Sequence, residues 1–236
     1  MLAIWKREVQ SYFLSPVAYV FIGFFMLVCG IFFATGNILT QNASFNATLG
    51  TISFLFMMVV PILTMRLLSE ERKNKTDQLL LTAPVSVSAI VVGKYLAAVT
   101  VFLITLVISL VYPLVLAIFG QPSFGEIFAG YIGFFLLGCA LISVGVFISA
   151  LTESQVIAAV ATFFILLILW TGNFAISLVK VEWIATVLKW LSVYTRFAPF
   201  TGGVLPLTPT VYFISFSAIF VFLAVRSVER RRWSKG

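Results

Sequence analysis

Residues 9–65 read VQSYFLSPVAYVFIGFFMLVCGIFFATGNILTQNASFNATLGTISFLFMMVVPILTM, 57 consecutive positions between Glu8 and Arg66 without a charged side chain. A helix needs about 20 apolar residues to cross roughly 30 Å of hydrocarbon, so this stretch holds two crossings. Between them GNILTQNASFNATLG, residues 36–50, supplies the small polar residues and glycines of a turn. Further along, charge-free runs of 31, 26, 26 and 29 residues follow. Lipid offers the backbone no hydrogen-bond partners, so each run is expected to cross as a helix. Six spans result, at about 16–37, 51–68, 92–119, 127–150, 155–179 and 208–226, in one transmembrane domain over residues 1–236. With 61% apolar and 10% charged residues, the chain has too little polar surface to cover such helices as a soluble core.

Ahead of the first span, MLAIWKREVQSYFLSP has no small-residue cleavage site and is expected to be retained. On a helical wheel Leu2, Trp5, Val9, Tyr12 and Phe13 share one face, with Lys6, Arg7, Gln10 and Ser11 opposite. That predicts an amphipathic interface helix with aromatic residues toward lipid and cations toward water. Its role is either membrane anchoring or holding a cytosolic partner. Pro16 suits the bend into the first crossing.

Basic residues near span ends stay cytoplasmic. Six spans place Lys6, Arg7, Arg66, Arg72, Lys73, Lys75, Lys94, Arg226, Arg230, Arg231, Arg232 and Lys235 on one side, against Lys180, Lys189 and Arg196 on the other. Both termini are therefore expected in the cytoplasm. The net charge of +7 follows from this topology and from contact with anionic headgroups, not from nucleic-acid binding. On the outer side, residues 180–209 carry Trp183, Val187, Trp190 and Tyr194 at helical spacing, with Arg196 facing away. They predict an amphipathic or re-entrant segment before the last span, either an orienting helix or a gate. Pro199, Gly202, Gly203, Pro206 and Pro209 are expected to prevent regular helix until that span begins. The sequons at Asn42 and Asn46 agree with an outer position for the first loop.

The one long polar island, Arg66 to Lys94, reads RLLSEERKNKTDQLLLTAPVSVSAIVVGK. Thr76 is placed to cap a short helix, Asp77 favours its first turn, Leu79 and Leu80 give it an apolar surface, and Pro84 ends it. Such a knob fits a groove in a partner, with Arg66, Glu70 and Glu71 as exposed charges on its rim. A solvated connecting loop is the plain alternative.

Several chemistries are excluded. The chain has no histidine, and Cys29 and Cys139 fall within spans, which argues against a metal site or disulfide scaffold. Lys94, Glu126 and Glu153 are expected at or near span ends, leaving no ionisable residue at mid-membrane depth to drive an ion-coupled carrier. Gly93-Lys94-Tyr95 lacks the first glycine and the hydroxyl residue of a phosphate-binding loop. Energy for uphill movement has to arrive from another protein.

Ser69 to Ser86, followed by Val92-Gly93-Lys94, resembles the cytoplasmic loop of ABC-2-type permeases, with Lys75 where the family usually has Gly and Gln78 where it often has Glu. Ser149 to Ala159, Gly203 to Phe213 and Glu229 to Trp233 are similar to the gliding-motility-type branch. The resemblance implies an all-α integral membrane protein of the bacterial plasma (inner) membrane: six transmembrane helices, the N-terminal interface helix and a cytoplasmic coupling helix within the 66–94 loop. It implies cytosolic ABC ATPase subunits as partners, holding the ATP and Mg that this chain does not bind. It further implies a second permease subunit and, in the gliding-type assembly, an accessory protein with a large extracytoplasmic domain. Docking then falls to Glu70, Glu71, Thr76, Leu79, Leu80 and Pro84, with Trp5, Lys6 and Arg7 on the interface helix. A membrane scaffold without a transported substance remains the alternative.

Overall fold

The computed structural model describes residues 1–74, 86–176 and 192–234. Ten α-helices account for nearly all of them: α1 (Leu2–Leu14), α2 (Pro16–Phe33), α3 (Phe45–Thr64), α4 (Ser69–Lys73), α5 (Val87–Ser109), α6 (Val111–Phe119), α7 (Phe124–Leu151), α8 (Gln155–Ile176), α9 (Val193–Thr201) and α10 (Leu207–Ser234). Six helical stretches are long and apolar enough to cross a membrane, and among the described residues no strand occurs. The expected six-span, all-helical architecture is present, and the chain is a multi-pass membrane protein.

Span ends differ from expectation where polar side chains find internal partners. The second span begins at Phe45, six residues before the expected start, because Asn46 and Thr48 are buried instead of solvated. Asn46 Nδ2 donates to Glu126 O at 2.8 Å, and Thr48 Oγ1 donates to Asn37 Oδ1 at 2.6 Å. Asn37 closes the hairpin from the other side, donating to Asn42 O and Ser44 O from a π-helical turn, Ala34–Ile38, that ends α2. Burial of the Asn46 side chain takes the acceptor amide of its sequon out of solvent, and Asn42 stays exposed.

The third span is two helices. Pro113 has no N–H for the Ser109 carbonyl, so the ladder breaks at Leu110. Tyr131 of α7 donates its hydroxyl to that freed carbonyl at 3.1 Å.

α7 is the central helix. In lipid, helices associate through close packing, not through a hydrophobic driving force, and small residues permit that approach. A methyl group at Gly138 would lie 2.0 Å from the Phe102 ring of α5, and one at Gly145 would lie 2.2 Å from Thr64 Oγ1 of α3. Asn46 meets Gly130 and Thr64 meets Gly145, so α3 and α7 run side by side in the same direction. Around them Phe56 stacks on Phe102 with centroids 4.6 Å apart, and Phe134 lies 5.2 Å from Phe56.

α9 dips into the bundle beside α7. Phe197 and Phe200 are fully buried, Phe197 lies 6.2 Å from Phe134, and Phe200 fills the notch at Gly133. Pro199 therefore sits inside a regular helix, contrary to expectation, because that short helix is held by its buried phenylalanines. Gly203 follows with φ +78°, a left-handed conformation suited to glycine. The Arg196 guanidinium stands 5.4 Å from the Tyr212 ring centre. Trp183 and Trp190 lie outside the described residues.

Candidate functional site

At the end of α3 the chain leaves one helix and enters α4 through the turn at residues 65–68. Carbonyls in a last helical turn have no partner within the helix, and here other helices supply them. Tyr12 of α1 donates to Leu63 O at 2.7 Å. Burial, with the Glu8 charge adding to it, raises the Tyr12 phenol well above its ordinary range, so the hydroxyl keeps its proton. Ser149 of α7, fully buried, donates to Met65 O at 3.2 Å and accepts from Leu68 N and Ser69 N, both at 3.1 Å. One hydroxyl thus satisfies both sides of the break. Ser69 Oγ also donates to Met65 O.

Arg72 ties α4 to the turn between α7 and α8. Its Nε lies 2.8 Å from Glu153 Oε1, and its Nη1 donates to Leu151 O at 2.8 Å.

On the opposite flank four charges from three helices converge. Lys94 of α5 lies 2.9 Å from Glu71 Oε1 of α4 and 3.2 Å from Glu8 Oε1 of α1. Arg7 Nη2 reaches the same two oxygens, at 3.5 and 3.1 Å respectively. The Lys94 side chain is only 2% exposed, and a buried ammonium is tolerated only with such partners. Gly93 makes the arrangement possible. A methyl group there would stand 3.1 Å from Ile4 Cγ2, so its absence lets α1 lie close on α5 and brings Glu8 within reach of Lys94. Trp5 completes the contact, donating from Nε1 to Thr100 Oγ1 at 2.9 Å.

These contacts correct three expectations. The aromatic face of α1 turns inward to α3 and α5, not outward to lipid, because Tyr12 and Trp5 have polar partners on those helices. Glu71, expected as an exposed rim charge, has a side chain only 17% exposed and serves as an internal strut. Lys94 lies near the start of its span as expected, in a helix that begins at Val87, but as the end of the polar island it is buried and not solvated. Glu70 pairs with Arg66 at 2.9 Å and keeps part of its surface in solvent, and Lys6 and Arg7 are exposed. Thr76, Leu79, Leu80 and Pro84 lie outside the described residues. Sequence reasoning took Gly93-Lys94 as a family signature and missed its chemistry, although Lys94 is the single charged residue between Asp77 and Glu126.

The joint therefore links α4 to α7 through Ser149 and Arg72, to α5 through Lys94, and to α1 through Glu8 and Arg7. Its chemistry is mechanical, since its groups bond one another across helices. Residues 37–225 match a family described as ABC-2 family transporter protein. Compared with curated proteins, the chain has no significant match.

Proposed function

The chain belongs to the ABC-2 family of transporters, and on that premise we propose that it is the membrane subunit of an ATP-binding-cassette transporter that moves its substrate across the bacterial plasma membrane. ATP and Mg are held by separate cytosolic ATPase subunits, and a second six-span subunit completes the path. The face bearing α1, α4 and residues 151–154 is cytosolic in this reading. The motifs at 149–159, 203–213 and 229–233 support reading it as a member of the gliding-motility-type branch.

The observation that carries the proposal is the convergence on α4. ATPase closure pushes the 66–94 segment. Force passes through Ser149 and Arg72 to α7, and through Glu71 and Lys94 to α5. The charges shared with α1, together with Tyr12, carry it on to α3. Three spans then tilt as a group, and the bundle changes between inward-facing and outward-facing arrangements. Thr76, Leu79, Leu80 and Pro84 form the surface the ATPase grips, and Glu70 contributes to its charged edge.

Replacing Leu79 and Leu80 together by Asp tests the reading. The permease should still reach the membrane, and its ATPase should no longer co-purify. An ATPase that remains bound and hydrolyses ATP at the normal rate would refute docking at this site. An intact complex that hydrolyses ATP but moves nothing across reconstituted vesicles would support a scaffold.

A further inference from the structure

Between α1 and the α3–α4 junction lies a half-open cavity of about 340 Å³, within the roughly 300–1,000 Å³ typical of small-ligand sites. It sits where α2 begins and α3 ends, which in the proposed topology is the cytosolic edge of the membrane. Three cations and three carboxylates line it: Arg7, Arg66 and Lys94 with Glu8, Glu70 and Glu71. Most of these charges face one another, but one pair is left half used. Arg66 donates to Glu70 Oε2 through Nε at 2.9 Å, while its Nη1 and Nη2 and the other Glu70 oxygen have no partner among the described residues. A guanidinium corner and a carboxylate oxygen therefore stand open next to each other at the wall, with Ser11 Oγ also unpaired there among the described residues.

We propose that this cavity binds the headgroup of an ethanolamine phospholipid, its phosphate on Arg66 and Ser11 and its ammonium on Glu70. Electrical balance of the wall favours a zwitterion over an anionic headgroup, which would meet three carboxylates. The free Arg66 nitrogens suit the paired oxygens of a phosphodiester. A primary ammonium offers three N–H donors to the carboxylates. Choline offers none and would need an accessible aromatic face, whereas the one aromatic residue on the wall, Tyr12, is only 4% exposed. Space for acyl chains exists at the Ser15 end, where Leu14 is 89% and Tyr19 is 61% exposed.

The test is native mass spectrometry of the delipidated full-length protein, titrated with phosphatidylethanolamine, phosphatidylcholine and phosphatidylglycerol of matched chains and with soluble phosphoethanolamine. Phosphatidylethanolamine should bind most tightly. Arg66→Gln with Glu70→Gln should weaken it by about a hundredfold, the loss of two charge-assisted contacts at about tenfold each, and should weaken phosphatidylcholine, which shares only the phosphate contact, by less. Ser11→Asp changes an exposed position and leaves every bond described above in place, and it should weaken phosphatidylethanolamine as well, which distinguishes loss of the phosphate contact from poor folding of the double variant. Equal binding of phosphatidylethanolamine and phosphatidylcholine, a preference for phosphatidylglycerol, or adducts unaffected by both variants would overturn the proposal. Soluble phosphoethanolamine binding as tightly as the lipid would overturn the lipid assignment.

Discussion

Lys94→Met removes the ammonium at the centre of the joint and keeps the length and apolar stem of the side chain. What remains is two carboxylates, Glu8 and Glu71, with side chains 12% and 17% exposed, facing each other across the vacated position. Breaking a buried pair by deleting one partner costs about 3–5 kcal/mol. Arg7 still lies 3.1 and 3.5 Å from the same oxygens, so the lower end of that range applies, about 3 kcal/mol. For a chain of this length 1 kcal/mol corresponds to about 2–4 °C in Tm, and the detergent-purified variant should melt roughly 6–12 °C below the parent. A second measurement separates lost charge pairing from lost packing. Glu71→Gln alone should also destabilise, but the Lys94→Met, Glu71→Gln double variant should be less impaired than the sum of the two, since the second change removes one of the two facing carboxylate charges. A coupling of about 1–3 kcal/mol is expected for groups in one network. A Tm within 2 °C of the parent, or additive single effects, would refute the claim that Lys94 holds α1, α4 and α5 together.

Other consequences are open to direct measurement. Ser149→Ala strands Leu68 N and Ser69 N in a buried setting, at about 1–3 kcal/mol for each unsatisfied group; melting should fall, and amide exchange at residues 68 and 69 should accelerate more than exchange within α3. Gly138→Ala places a methyl group 2.0 Å from the Phe102 ring and should cost about 1–3 kcal/mol or more by overpacking, with Phe102→Leu recovering part of the loss when combined with it. For topology, Asn42→Cys and Lys73→Cys, both at exposed positions, should react oppositely with a membrane-impermeant maleimide once Cys29 and Cys139 are replaced by Ser. The first should label in intact cells and the second only after permeabilisation, and the reverse pattern would overturn the proposed orientation.

The spans were legible because charge-free runs longer than about 20 residues leave a chain little alternative in lipid. Their edges were less so. Asn46 and Thr48 look like loop residues until Glu126 O and Asn37 Oδ1 are placed beside them, contacts that depend on the hairpin and on α7. Pro113 is a visible breaker, but the hydroxyl of Tyr131 that makes the break tolerable comes from a different span. The joint was half legible: the polar island announced a working surface, and the amphipathic pattern announced α1. Which face of α1 turns inward was decided by Thr100 and the Leu63 carbonyl, both far away in sequence. Ser149 showed only as the first residue of a family-like motif, and its bonding gave no signal, because a serine among apolar residues is indistinguishable by pattern from one that bonds its own helix.

Gly133 and Phe200 meet across 67 positions of chain, and the atoms nearest the notch in α7 all belong to that phenylalanine. A ribosome adding roughly 5–20 residues per second needs about 3–13 s to deliver the phenylalanine after the glycine has left the tunnel. During that interval the half-built bundle must wait with its central helix unplugged. Synthesis speed therefore sets how long the central helix stands without the side chain that fills its notch.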